Sequence, residues 1–319
     1  MFLTFLQRAI RFSTIFLLGS TGETITEKSG NLNLGTPGIM CMGAAGGIIG
    51  AETYMSIVGD VQNITPFGAV MLPLIMAVIM SLIGGMVYSF ITISLRCNQN
   101  VTGLALTTFG VGLLSFCGGR AKTTGFTAIS AYFTKSFPIS ATPNWFETIF
   151  LSYGALVYIA IIVAIIVAIL FKKTRVGLNL RAVGENPATA DAAGISVTKY
   201  KYTATLVGSV IAGLGGLFYI FDYLGGNVEY NVDTYGWMTI ALVIFTVWRP
   251  NWAILGSIVF SMLYIAPSYI SGVTFVESEA IKMIPYVVTI IVLVITSIIS
   301  RRETQPPASL GLTYFREER

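Results

Sequence analysis

Ile149-Phe-Leu-Ser-Tyr-Gly-Ala-Leu-Val-Tyr-Ile-Ala-Ile-Ile-Val-Ala-Ile-Ile-Val-Ala-Ile-Leu-Phe171 runs for 23 residues without a charged side chain. A helix that crosses the hydrocarbon core of a bilayer needs ~20 predominantly apolar residues, so this one stretch is already long enough. Phe67–Leu95 and Ile281–Ser300 are nearly as clean. None of the three alternates apolar and polar residues with period two, as a membrane β-barrel strand would. In lipid, every backbone N–H and C=O must be satisfied within the segment, and an uninterrupted apolar run does that as an α-helix. The expected fold is therefore all-α, a polytopic membrane helix bundle embedded in the lipid bilayer.

Composition agrees. Of 319 residues, 54% are hydrophobic and 11% charged, against roughly 25% charged in a soluble protein. About nine apolar segments can be marked, near 2–20, 32–51, 67–94, 100–118, 149–171, 202–221, 236–248, 252–271 and 281–300. The seventh, at about 13 residues, would rise only ~20 Å. The second opens on Asn31-Leu-Asn-Leu-Gly-Thr-Pro-Gly38, where one proline and two glycines predict a broken helix. Small residues at four-residue spacing (Gly43 and Gly47, Gly46 and Gly50, Ala212 and Gly216) predict close helix–helix packing. The first segment, with Arg8 and Arg11 ahead of an apolar stretch, lacks a small-x-small cleavage site and reads as a retained helix.

The net charge of +4 sits in a few loops. It is topology information and not a nucleic-acid surface. Lysine and arginine mark cytoplasmic loops, and 172–201 carries Lys172, Lys173, Arg175, Arg181, Lys199 and Lys201. Arg301 and Arg302 place the tail on the same side. Asp222, Glu229, Asp233, Glu277 and Glu279 then fall in outer loops, as does 119–148 despite Arg120, Lys122 and Lys135. The N-terminus comes out external, an awkward place for Arg8 and Arg11.

Several chemistries are excluded. The chain has no histidine, so the usual zinc sites, histidine-based triads and imidazole proton relays are out of reach, and no metal site is expected. It has no GxxxxGK loop and no GxSxG turn, so no catalytic residue and no cofactor are expected. Cys41, Cys97 and Cys117 form no CxxC pair, and Cys41 and Cys117 read as small packing residues. With few charges inside the marked spans, no site for a coupling ion is expected, which argues against an ion-driven secondary transporter.

The most informative loop residues are Gly184, Glu185, Asn186, Pro187, Ala190, Ala193 and Gly194. Asn186 is a candidate cap with Pro187 at the first helical position, alanines favour the helix, and Gly194 ends it. The result is a short helix on the cytoplasmic face, either a partner-docking surface or a plain connector.

The stretch Arg181-Ala-Val-Gly-Glu-Asn-Pro-Ala-Thr-Ala-Asp-Ala-Ala-Gly-Ile195 resembles the cytoplasmic motif of ABC importer permeases of the branched-chain amino acid, ribose and nucleoside family. Ser29–Met40 resembles the family's second-helix signature. Gly22–Gly30 and Ile240–Gly256 are similar to its nucleoside and simple-sugar branch. Thr36, Thr189 and Asn251-Trp252 depart from the usual pattern. The resemblance, over roughly 20–300, implies a type II-importer-like permease domain in 1–300, with a coupling loop at 172–201 and a cytoplasmic tail at 301–319. It implies residence in the inner (plasma) membrane and no enzymatic activity of the chain itself. ATP would be hydrolysed by separate ATPase subunits docked on the coupling residues. A second permease, related or identical and preferably related, and an extracytoplasmic substrate-binding protein would complete the assembly. The substrate implied is a nucleoside or simple sugar, with a branched-chain amino acid as the alternative. Asn31, Asn33, Gly35 and Gly38 would line the translocation path; on their own chemistry the two asparagines are equally turn and cap residues.

Overall fold

The computed structural model describes residues 2–119, 124–137, 144–228, 231–270, 272, 274–299 and 305–315. Arg120, Lys122, Glu229, Arg301 and Arg302, on which part of the charge reading rested, lie outside them. In chain order the helices are α1 (Phe2–Lys28), α2 (Thr36–Val58), α3 (Pro66–Ser89), α4 (Gln99–Gly118), α5 (Thr124–Phe133), α6 (Trp145–Phe150), α7 (Ala155–Lys173), α8 (Arg175–Glu185), α9 (Pro187–Ala192), α10 (Val197–Phe218), α11 (Val232–Phe245), α12 (Pro250–Ile265), α13 (Phe275–Lys282) and α14 (Ile284–Ile299). Among the described residues there is no β-strand. Seven segments of the described residues are long and apolar enough to cross a membrane; α2 (23 residues) and α11 (14 residues) account for the other two of the nine expected.

Proline sets several of these starts. Pro37, Pro66, Pro187 and Pro250 each fall in the first turn of a helix, where the missing N–H has no intrahelical partner to lose. The break expected in the second segment lies at its entrance: residues 31–33 are irregular and α2 then runs uninterrupted from Thr36 to Val58. Real departures from α geometry occur elsewhere, as π-helical turns at Phe90–Ser94 after α3 and Tyr219–Tyr223 after α10.

Helix α2 is the hub, packed on α3, α4, α10 and α11, while α1 lies against α10, α11 and α12. The small-residue spacing explains how. A Cβ at Gly43 would stand 2.2 Å from the Gly213 carbonyl oxygen of α10, and one at Gly46 2.5 Å from the Met76 carbonyl oxygen of α3. Backbones touch on two sides of the same helix, so dispersion contacts accumulate without bulky side chains. Cys41 and Cys117 are free and buried, in keeping with a packing role. By contrast α7 and α14 expose rows of isoleucine and valine, including Ile162, Ile166, Ile290 and Ile298, as a lipid-facing surface requires.

The first helix extends eight residues beyond the apolar segment marked in the sequence, to Lys28. It ends where Gly30, at φ +87°, takes a left-handed conformation that few other residues adopt.

Candidate functional site

At one end of the bundle, the loop between α7 and α10 folds into two short helices. Thr174 caps α8 by accepting from the Gly177 N–H at 3.1 Å. Asn186 caps α9 by accepting from the Thr189 N–H at 3.0 Å, and Gly194, at φ +82°, follows its end. The short helix expected from Asn186, Pro187 and Gly194 is therefore present with those boundaries.

Its two sides differ. Ala190 is buried with Val183 and Val197, and Tyr200 and Tyr314 close the cluster. Asn186, Thr189, Ala192, Ala193 and Gly194 are exposed, with Glu185 and Pro187 half-buried. Gly184 is no surface residue either. A Cβ there would meet the Lys28 carbonyl oxygen at 2.3 Å, and its own carbonyl accepts from the Ser309 N–H at 3.0 Å. Gly184 and Ala190 thus anchor the loop, and the exposed edge of α9 is what remains for a partner.

The tail is part of this face and does not hang free of it. The Gly311 N–H donates to the Gly30 carbonyl at 3.2 Å, and the Tyr314 hydroxyl donates to Asp191 Oδ2 at 2.9 Å. Phe315 lies 4.7 Å beneath the Arg96 guanidinium, a cation–π contact.

The residues expected along a path are held as follows. Asn31 donates to the Thr205 hydroxyl at 3.1 Å and borders a cavity described below. Asn33 accepts from the Gly35 N–H at 3.0 Å, its turn-forming role. Gly35 and Gly38 are buried against α4 near Gly103, Leu106 and Thr107. The connecting backbone is held at several points. The Leu32 N–H donates to Gln99 Oε1 at 2.7 Å, Tyr88 donates to the Leu32 carbonyl at 2.6 Å, and Thr107 donates to the Leu34 carbonyl at 2.9 Å.

Sequence reasoning missed the buried charges. Glu23 and Glu27, just past the apolar segment marked at 2–20, sit inside α1 at 1% and 3% exposure. The Thr36 hydroxyl donates to Glu23, and the Trp248 indole N–H donates to Glu27. Val247 and Trp248 both adopt positive φ (54° each) to present that indole, a conformation that is strained for a β-branched valine. The near-absence of charges within the spans read from the sequence is thereby corrected: a glutamate pair, one helical turn apart, lies in the packed interior. The readable signal was the helix-compatible Glu23–Lys28 stretch running on to a terminating glycine.

At the other end, Asp222 was placed in an outer loop, yet it is completely buried in the π-turn after α10. Arg11 Nε donates to its Oδ1 at 2.8 Å, and Arg11 also donates to its backbone carbonyl. That pair accounts for an arginine inside the first helix. Gly154 packs directly on the same carboxylate, with no room for a Cβ.

With this geometry in place, the similarities carry weight. The family described as branched-chain amino acid transport system, permease component, matches residues 5–293. The chain belongs to this family. A nucleoside ABC transporter permease protein of Lactococcus lactis subsp. cremoris is 31% identical over 88% of both chains. A putative glucose ABC transporter permease protein of Haloferax volcanii is 31% identical over 81% of this chain and 75% of its own length. A guanosine ABC transporter permease protein of Bacillus subtilis is 25% identical over 97% of this chain and 95% of its own. The protein is accordingly an ABC transporter permease, a multi-pass component of the plasma membrane.

Proposed function

We propose that this permease serves an ATP-driven importer for an uncharged, hydroxyl-rich substrate, a nucleoside or simple sugar. The α8–α9 loop would be cytoplasmic and would pass the ATPase stroke into the bundle. One observation carries this reading: α9 is a capped helix whose buried side is fixed to the bundle and whose other edge is exposed. A small surface held this firmly transmits force, whereas a slack connector would absorb it. The substrate class is supported by the relatives named for a nucleoside, guanosine and glucose. Separate ATPase subunits, a second permease and an extracytoplasmic binding protein complete the proposed assembly.

The experiment is co-purification from mild detergent with an affinity tag placed after Arg319. The expected result is recovery of an ATPase subunit that is lost when 186–194 is replaced by a Gly/Ser linker. A stable, inserted chain that never retains an ATPase would sink the importer reading and favour an autonomous transporter.

A further inference from the structure

A cavity of about 220 Å³ opens on the same face, between the π-turn after α3, the start of α10 and the tail. In that measure one water takes ~10–15 Å³, so a tetrahedral oxyanion fits with room for part of an ester group. Lys201 lines it and is only 4% exposed. Among the described residues its ammonium has no hydrogen-bond or ion-pair partner. A buried cation without a counter-charge is costly, and this one also sits in the second turn of α10, near the positive end of the helix dipole.

Two further features point the same way. Ser196, Val197 and Thr198 line the cavity at the start of α10, and no side chain caps that helix. Its first N–H groups are left without a side-chain acceptor at the edge of the cavity, where a helix start favours an anion. Arg96 stands on the rim in a left-handed conformation, φ +57°, which is uncommon for arginine. Asn31, Gln99 and Thr92 supply neutral polar groups. The opposing charge is Asp191, whose carboxylate already accepts from Tyr314.

We propose that this cavity is a binding site for a phosphoryl anion, a phosphate or phosphate monoester, with Lys201 as its buried counter-charge and the start of α10 as its cradle. The occupant would touch Ser196 and Thr198 just beyond α9. If the coupling reading above holds, it would also brace the loop that meets the ATPase. Binding itself does not depend on that reading.

The test uses the full chain in nanodiscs of neutral phosphatidylcholine, in phosphate-free buffer at fixed ionic strength, with labelled inorganic phosphate and ribose 5-phosphate as probes. Saturable binding is expected in the wild type and in Lys199→Met, a control at an exposed lysine two residues away. Binding should weaken at least about tenfold in Lys201→Met. Arg96→Gln, at an exposed position that does not threaten folding, should weaken it by a smaller factor. A parallel preparation examines anionic phospholipid retained through purification by native mass spectrometry. Lipid retained by the wild type and lost in Lys201→Met, without soluble probe binding, would assign the phosphoryl group to a lipid headgroup and keep the site. Equal behaviour of wild type, Lys201→Met and Arg96→Gln toward both sources, or no binding of either, would overturn it.

Discussion

Arg11 and Lys201 are both cations set into the helical bundle, at opposite ends of it, and the protein treats them differently. Arg11 meets Asp222 at 2.8 Å, and the carboxylate is itself completely buried. Lys201 is 4% exposed and lines a cavity, with no ion-pair partner among the described residues. One charge is neutralised by the fold; the other leaves its neutralisation to whatever enters. Arg11 joins α1 to α10 and acts as a structural clasp. Lys201 marks a place where the fold is incomplete without a ligand.

Mutations that remove one side of each arrangement separate the two. The largest effect belongs to Arg11→Met, which strands the completely buried Asp222 carboxylate and should cost ~3 kcal/mol or more, read as a lowered thermal midpoint in detergent. An unchanged midpoint would mean the clasp contributes nothing. Asp222→Ala leaves Arg11 without its partner; it should destabilise too, by ~2 kcal/mol, because Arg11 is partly exposed and water can solvate it. Lys201→Met should act with the opposite sign. In neutral detergent and phosphate-free buffer it removes an uncompensated charge, and the midpoint should rise by the equivalent of ~1 kcal/mol. A fall would mean that Lys201 has a partner inside the fold. Asn186→Ala should be smallest globally. It removes the cap of α9 at ~1 kcal/mol of local stability, seen as faster amide exchange across 186–194 with the bundle unchanged.

Local chemistry was legible in the sequence and long-range pairing was not. Asn186, Pro187 and Gly194 fix α9 through atoms within a few residues of one another, and the structure realises those boundaries. The glycine spacing of α2 could likewise be read because one helix face repeats every four residues, and both of its close approaches are present. The partners of Glu27 and Arg11 stand 221 and 211 residues away. Nothing near Glu27 announces Trp248, so the apolar segment marked at 2–20 stops short of both glutamates. The burial of Ala190 and Gly184 was not legible for the same reason, since Tyr314 packs on the first and Ser309 bonds the second from the distant tail.

The central claim is that the exposed edge of α9 meets an ATPase subunit. Its most direct measurement is disulfide or short-linker cross-linking from Ala193→Cys in a Cys97→Ser background, where the other two cysteines are buried. The account predicts a cross-linked product containing an ATPase polypeptide, in native membranes expressing the whole transporter. It also predicts none from a cysteine placed at Ile57, an exposed position at the far end of α2. Cross-linking from Ile57 but not from Ala193, with both variants inserted and stable, would contradict it.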